Sequence, residues 1–170
     1  MKIKVIAFDL DDTLLDTTNA LLPIAGQPEF FQRIQKNLPL LEGAEDNLRS
    51  LAGKYFLTMV TQGEPKVQKQ KVSSLGIEKY FKKTYIADVN AHESKIDLFR
   101  QILKDFQIVG PELLSVGNRR STDIRLAKQL GAMTCLYLYG EHKLEKPETP
   151  EDNPDFTIQS HQDLIKTCRL

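Results

Sequence analysis

The chain lacks net charge: 23 lysines and arginines stand against 23 aspartates and glutamates in 170 residues. A balance of this kind excludes global electrostatic steering toward nucleic acid or an anionic bilayer. Cysteine is scarce. Cys135 and Cys168 have no metal-ligand spacing and make no disulfide framework. Cys135 lies in the apolar run Met133 to Leu138 and reads as a small core residue. Both thiols suit a reducing cytoplasm, the expected location. No segment approaches the ~20 apolar residues of a membrane span. The N-terminal run Val5 to Phe8 is too short for a signal-peptide core and leads straight into acids, so no signal peptide is expected. Internal repeats and low-complexity tracts are missing as well. Hydrophobic content is 41%, ordinary for a globular chain. This length predicts one domain, residues 1–170, with a sizeable core.

Short apolar runs alternate with helical patterns. Strands are predicted at Ile3–Phe8, Tyr55–Val60, Thr84–Ala87, Leu113–Val116 and Met133–Leu138, with a weaker one at Phe156–Ile158. Ile96, Phe99, Ile102, Leu103 and Phe106 mark one helix face, with Ser94 as its cap. Ile124, Ala127 and Leu130 mark another, closed by Gly131. Glu45–Leu51 and Val67–Leu75 are further helices, each followed by a glycine. The alternation predicts an α/β fold: three layers, Rossmann-like, a parallel sheet with helices on both faces. Ligands of such a sheet bind beyond the carboxyl ends of its strands. The loops there begin at Asp9, Thr61, Asp88, Gly117 and Tyr139.

Asp9-Leu10-Asp11-Asp12-Thr13 follows the first strand. Three carboxylates this close repel one another unless something cationic joins them. The plain alternative is a polar turn after a buried strand. Three more pieces fall at or just after strand ends: Thr61-Gln62-Gly63, Lys95 at a helix start, and Gly117-Asn118-Arg119-Arg120-Ser121-Thr122-Asp123. A lysine is unfavourable at a helix N-terminus, which argues for a specific partner. Asp123 also has a plain reading, as support for the helix that follows.

In order, spacing and placement these four pieces resemble the haloacid dehalogenase superfamily of phosphatases and phosphotransferases. The resemblance extends to Pro154-Asp155-Phe156, similar to that family's last strand. It implies Mg2+-dependent hydrolysis of a phosphomonoester. Asp9 would be the nucleophile that forms an aspartyl-phosphate, and Asp11 the acid/base beside the leaving oxygen. Asp9, the backbone carbonyl of Asp11, Asn118 and Asp123 would hold Mg2+, an oxygen-seeking cation. Thr61, Gln62, Gly63, Lys95 and Arg119 would contact the substrate, Lys95 by neutralising phosphoryl charge. Crowding among Asp9, Asp11 and Asp12 is expected to keep a proton on Asp11 near neutral pH. Asp12 is expected to fix the loop. The dehalogenases keep no acid at the Asp11 position, so Asp11 points to phosphoryl transfer.

The chain departs from the family pattern at Asn118, where an acid is usual, and in its cap. Only about 25 residues, 15–39, separate the first motif from the next lead-in, enough for one short helix. The chain is therefore expected to be capless or to carry a vestigial cap. An open site suits a bulky substrate as well as a small metabolite, or a homo-oligomer whose neighbour completes the pocket. Residues 140–155 form a long acidic loop, read either as a wall of the site or as plain surface. The lysines at 66, 69, 71, 79, 82 and 83 are read as a solvated helix face, with steering of an anionic substrate as the alternative. Arg119 and Arg120 are candidates for a second anionic group of the substrate. Two alternatives stay open: a phosphate-binding or regulatory module with little turnover, motivated by Asn118 and the missing cap, and a phosphotransferase.

Overall fold

The computed structural model describes residues 2–36 and 38–170; Met1 of the expected 1–170 domain and Asn37 of the 15–39 segment lie outside the described residues. Six strands form one parallel sheet: β1 Val5–Phe8, β2 Phe56–Gly63, β3 Lys83–Asp88, β4 Leu113–Gly117, β5 Met133–Tyr137 and β6 Phe156–Ile158. Their order is β3-β2-β1-β4-β5-β6, with β1 and β4 side by side in the middle. All six expected strands are present.

The helices are α1 Thr17–Ala20, α2 Pro28–Arg33, α3 Ala44–Ala52, α4 Pro65–Leu75, α5 Lys95–Asp105, α6 Arg125–Lys128 and α7 Leu164–Cys168. Alternation along β1 decides which way they pack. Ile6 and Phe8 face a cluster that includes Leu48 and Leu51 of α3, Val72 of α4 and Leu164 of α7. Val5 and Ala7 face the other, with Phe99 and Ile102 of α5 and Ala127 of α6. That is the three-layer arrangement read from the sequence. Among the described residues, no helix is long and apolar enough to cross a membrane.

The chain leaves β1 toward the α3 face and leaves β4 toward the α6 face. Loops that part in this way open a crevice between neighbouring strands, the usual ligand position in an open parallel sheet. Asp9 and the 118–123 segment enter that crevice from its two sides.

Two local expectations change. Thr61-Gln62-Gly63 is the end of β2 rather than a loop, because β3 extends far enough to pair with all three residues, down to Gly63 opposite Asp88. The 15–39 segment holds more than one short helix: α1, a 3-10 turn at Leu22–Ile24, and α2. Leu21 and Ile34 anchor it in the core, while Phe31 stays 58% exposed.

Candidate active site

Asp9 sits where β1 ends, its backbone N–H donating to the Val116 carbonyl of β4 at 2.9 Å. The side chain is buried, and Thr13 Oγ1 donates to its Oδ2 at 3.1 Å. Lys95 opens α5 behind the Ser94 cap, whose hydroxyl accepts from the Ile96 N–H. Its Nζ lies 2.6 Å from Asp9 Oδ1 and 2.6 Å from Asp123 Oδ1, with all three residues at least 93% buried. The partner expected from the helix-end argument is thus a pair of carboxylates.

Asp123 is held by its other oxygen, which accepts from the Arg119 N–H at 3.0 Å, and by its carbonyl, which accepts from Ser115 Oγ. Gly117 makes this possible: a Cβ there would collide with the Asp123 carboxylate. The tight 118–123 turn continues into the π-type segment Arg120–Ile124 before α6.

These charges do not balance. Burial, aided by the Asp123 charge, raises the Asp9 carboxyl to about 7 against the downward pull of Lys95. Burial works against the Lys95 ammonium, but Asp123 and Asp9 outweigh it and raise its pKa. Two buried carboxylates sharing one ammonium leave room for another positive charge.

Asp9 and Asp123 could offer carboxylate oxygens to a cation, Asn118 an amide oxygen and Asp11 a backbone carbonyl, hard donors of the kind Mg2+ takes. Asn118 Nδ2 donates to the Tyr139 carbonyl at 3.3 Å, which leaves its amide oxygen for the pocket. Among the described residues no group of three or more His, Cys, Asp and Glu side chains could hold a metal ion. Asn118 stands where a third acid would be, so this donor set relies on neutral oxygens.

Asp11 differs from expectation. Burial alone would raise its pKa, but the Lys71 ammonium and hydrogen bonds from Gln68, Lys71 and Thr17 hold it below the usual carboxylate range. Lys71 Nζ lies 2.8 Å from its Oδ1, Thr17 Oγ1 2.6 Å from the same oxygen, and Gln68 Nε2 2.9 Å from Oδ2. The crowding argument fails because α4 brings a cation to this carboxylate. Lys71 is therefore no part of a solvated face; it is buried. Gln68 also donates to Thr61 Oγ1 at 2.5 Å, linking Asp11 to the end of β2. Asp12 accepts from Thr18 N–H, Thr18 Oγ1 and the Glu141 N–H, and ties together the loops after β1 and β5.

A pocket of about 150 Å3 gathers Asp9, Asp11, Thr61, Gln62, Lys95, Asn118, Arg119 and Asp123. Gly63 does not line it and borders a neighbouring groove instead. Glu141 and His142 of the 140–155 loop do line it. Arg120 turns away: its guanidinium donates to the Glu145 and Asp152 carbonyls. Gln68 and Lys71 were not among the sequence candidates. Their signal was a polar residue and a lysine on the same α4 face as Val72 and Leu75, which packs against the core.

The loop after β1 is braced from below by His161, wholly buried, whose Nε2 donates to the Thr13 carbonyl at 2.6 Å. Burial pushes its pKa below the ordinary 6.5, with the Thr13 bond opposing. A base whose folded pKa is depressed must stay neutral in the fold. Stability is then full above pH 6.5 and falls as the unfolded chain takes up the proton below it. The thermal midpoint is expected to drop as pH goes from 7 toward 5. His161→Gln should lower it at neutral pH and flatten that slope; an equally steep slope in the variant would exclude His161 as the cause.

Comparisons with known proteins agree with this fold. A HAD-hydrolase-like family model matches residues 95–164. A glyceraldehyde 3-phosphate phosphatase of Pyrococcus abyssi is 29% identical over 199 aligned positions, covering 82% of this chain and 83% of the relative. That alignment is longer than this chain, so the relative carries residues with no counterpart here. YfnB of Bacillus subtilis, solved bound to magnesium, superposes with a TM-score of 0.77 at 16% identity, covering 98% of each chain. The L-2-haloacid dehalogenase of Xanthobacter autotrophicus does so at 0.76 and 15%, again over 98% of each. The structural likenesses establish the fold. In sequence and in fold the chain is similar to proteins of the haloacid dehalogenase superfamily, phosphatases among them.

Proposed function

We propose that the protein is a Mg2+-dependent phosphomonoesterase that works through an aspartyl-phosphate on Asp9. The observation that carries this reading is the buried Asp9–Lys95–Asp123 cluster at the crevice between β1 and β4, short of one positive charge and opening on Thr61 and Asp11. Mg2+, held by Asp9, Asp123, Asn118 and the Asp11 carbonyl, would supply charge neutralisation that lets a carboxylate approach an anionic ester. An Asp9 oxygen attacks phosphorus and the ester P–O bond breaks. Lys95 holds Asp9 in place and offsets negative charge on the phosphoryl oxygens. Thr61 directs its hydroxyl at the same oxygens. Asp11 gives the leaving oxygen a proton. It then takes one from the water that attacks the aspartyl-phosphate and releases inorganic phosphate.

The lowered pKa of Asp11 divides its two duties unequally. A carboxylate held by Lys71 is ready to accept a proton from water, and reluctant to carry one to the leaving group. The test is hydrolysis of p-nitrophenyl phosphate by the purified chain, with Mg2+ and with a chelator. Turnover that requires Mg2+ is expected. Turnover indifferent to chelation would remove the metal from the reading, and no turnover of any phosphomonoester would favour the binding-module alternative that Asn118 motivates.

A further inference from the structure

The inner pocket is too small for a whole ester. At about 150 Å3 it lies below the range of small-molecule sites, roughly 300–1,000 Å3. It has room for a phosphoryl group and little of the alcohol. A groove of about 760 Å3 opens beside it, between the 15–39 segment and the start of α4. The two share Asp11 and Gln62. Asp11 is the residue placed beside the leaving oxygen, so the groove begins where the alcohol must emerge.

The chemistry of its wall is unlike that of the inner pocket. Pro28, Phe30, Phe31 and Val67 make it chiefly apolar. The Phe30 and Phe31 rings meet edge to face with centroids 5.6 Å apart, and Phe31 remains 58% exposed. Exposed apolar surface gathered beside a polar site marks a place where something apolar is to be covered. The charged residues among the described lining are Asp11, Glu64 and Lys71. Lys71 is the one cation, and Asp11 already holds its ammonium at 2.8 Å. A second anionic group on the substrate would meet Glu64 and find no uncommitted positive charge.

We propose that this groove is the leaving-group subsite and that the substrate class is a phosphomonoester whose alcohol is apolar and uncharged. The proposal rests on the phosphatase reading and narrows it. It sets this chain apart from an enzyme built for a small, polar triose phosphate.

Four alkyl phosphates test it without large differences in leaving-group acidity: 2-phenylethyl phosphate, ethyl phosphate, glycerol 3-phosphate and 3-phosphoglycerate. 2-Phenylethyl phosphate should exceed glycerol 3-phosphate in kcat/KM by about tenfold, with 3-phosphoglycerate lowest. Phe31→Glu should cut kcat/KM for 2-phenylethyl phosphate by about tenfold more than it cuts that for ethyl phosphate, while Phe31→Leu keeps most of the preference. Preference for either polar substrate, or equal loss on 2-phenylethyl and ethyl phosphate in Phe31→Glu, would overturn the assignment. So would a Phe31→Glu protein that changes from dimer to monomer in sedimentation with its selectivity intact, since the groove would then bind a second copy. If the wild-type chain hydrolyses neither these esters nor p-nitrophenyl phosphate, the phosphatase reading itself falls.

Discussion

Asp9→Asn is expected to lower turnover of any phosphomonoester on the order of 10^4-fold or more while leaving the metal-free protein as stable as wild type. The first half follows from chemistry. An amide oxygen is a far weaker nucleophile than a carboxylate, and the Asp123 carboxylate is held by Lys95 and the Arg119 N–H. The second half follows from counting charges. Asp9 and Asp123 share one ammonium, each 2.6 Å from Lys95 Nζ. Neutralising Asp9 leaves Lys95 and Asp123 as a balanced pair, and it removes the carboxylate whose pKa burial has raised to about 7. A polar amide of the same shape can still accept from Lys95 through its oxygen, while its Nδ2 donates to the Thr13 hydroxyl. Steady-state kinetics and thermal denaturation in chelator measure the two halves separately. Mg2+ should raise the thermal midpoint of wild type and do so much less for the variant, because one of two carboxylate ligands is gone. Turnover within tenfold of wild type would remove Asp9 as the nucleophile.

Much of this site is legible in the chain because it depends on strand ends. A buried parallel strand announces itself as a short apolar run, and the position just after it is then a position in the crevice. That logic places Asp9, Asn118 and Asp123 without any knowledge of packing. Lys95 is legible for a different reason: a lysine at a helix start, behind the Ser94 cap, stands against the helix dipole and needs a carboxylate. What the chain does not disclose is how α4 lies on β2. Lys71 has lysines on either side at 66, 69 and 79, and local pattern assigns it to their solvated face. Only the packing of Val72 and Leu75 turns Lys71 and Gln68 inward to Asp11. The charge state of Asp11 changes with them, which no argument from its neighbours in sequence could supply. Arg120 escapes for the same reason. Its guanidinium is taken by carbonyls of Glu145 and Asp152, more than twenty residues away, in a loop whose course local spacing does not determine.

Lys95→Met should destabilise the protein by about 3–5 kcal/mol, the range for breaking a buried ion pair by removing one partner. Against a typical total of about 5–15 kcal/mol this is a large share of what holds the fold together. Methionine fills most of the lysine stem's space, so the loss is electrostatic rather than a cavity. Asp9 and Asp123, each more than 90% buried, would face each other with no cation between them. The strain falls on β1 and on the 118–123 turn together, since Asp123 also anchors the Arg119 N–H. Charge accounting gives the control. Adding Asp9→Asn to Lys95→Met removes one of the two stranded carboxylates, and the double variant should recover a substantial part of the loss despite carrying two changes. Mg2+ offers a second control, because a cation accepted by the same oxygens should raise the thermal midpoint of Lys95→Met by more than that of wild type. Denaturation in chelator and in Mg2+, on the wild type, the single variants and the double variant, reads all of this without any turnover assay. A Lys95→Met protein as stable as wild type, or a double variant that loses the sum of its parts, would show that the lysine is not the counter-charge that holds the two aspartates in place.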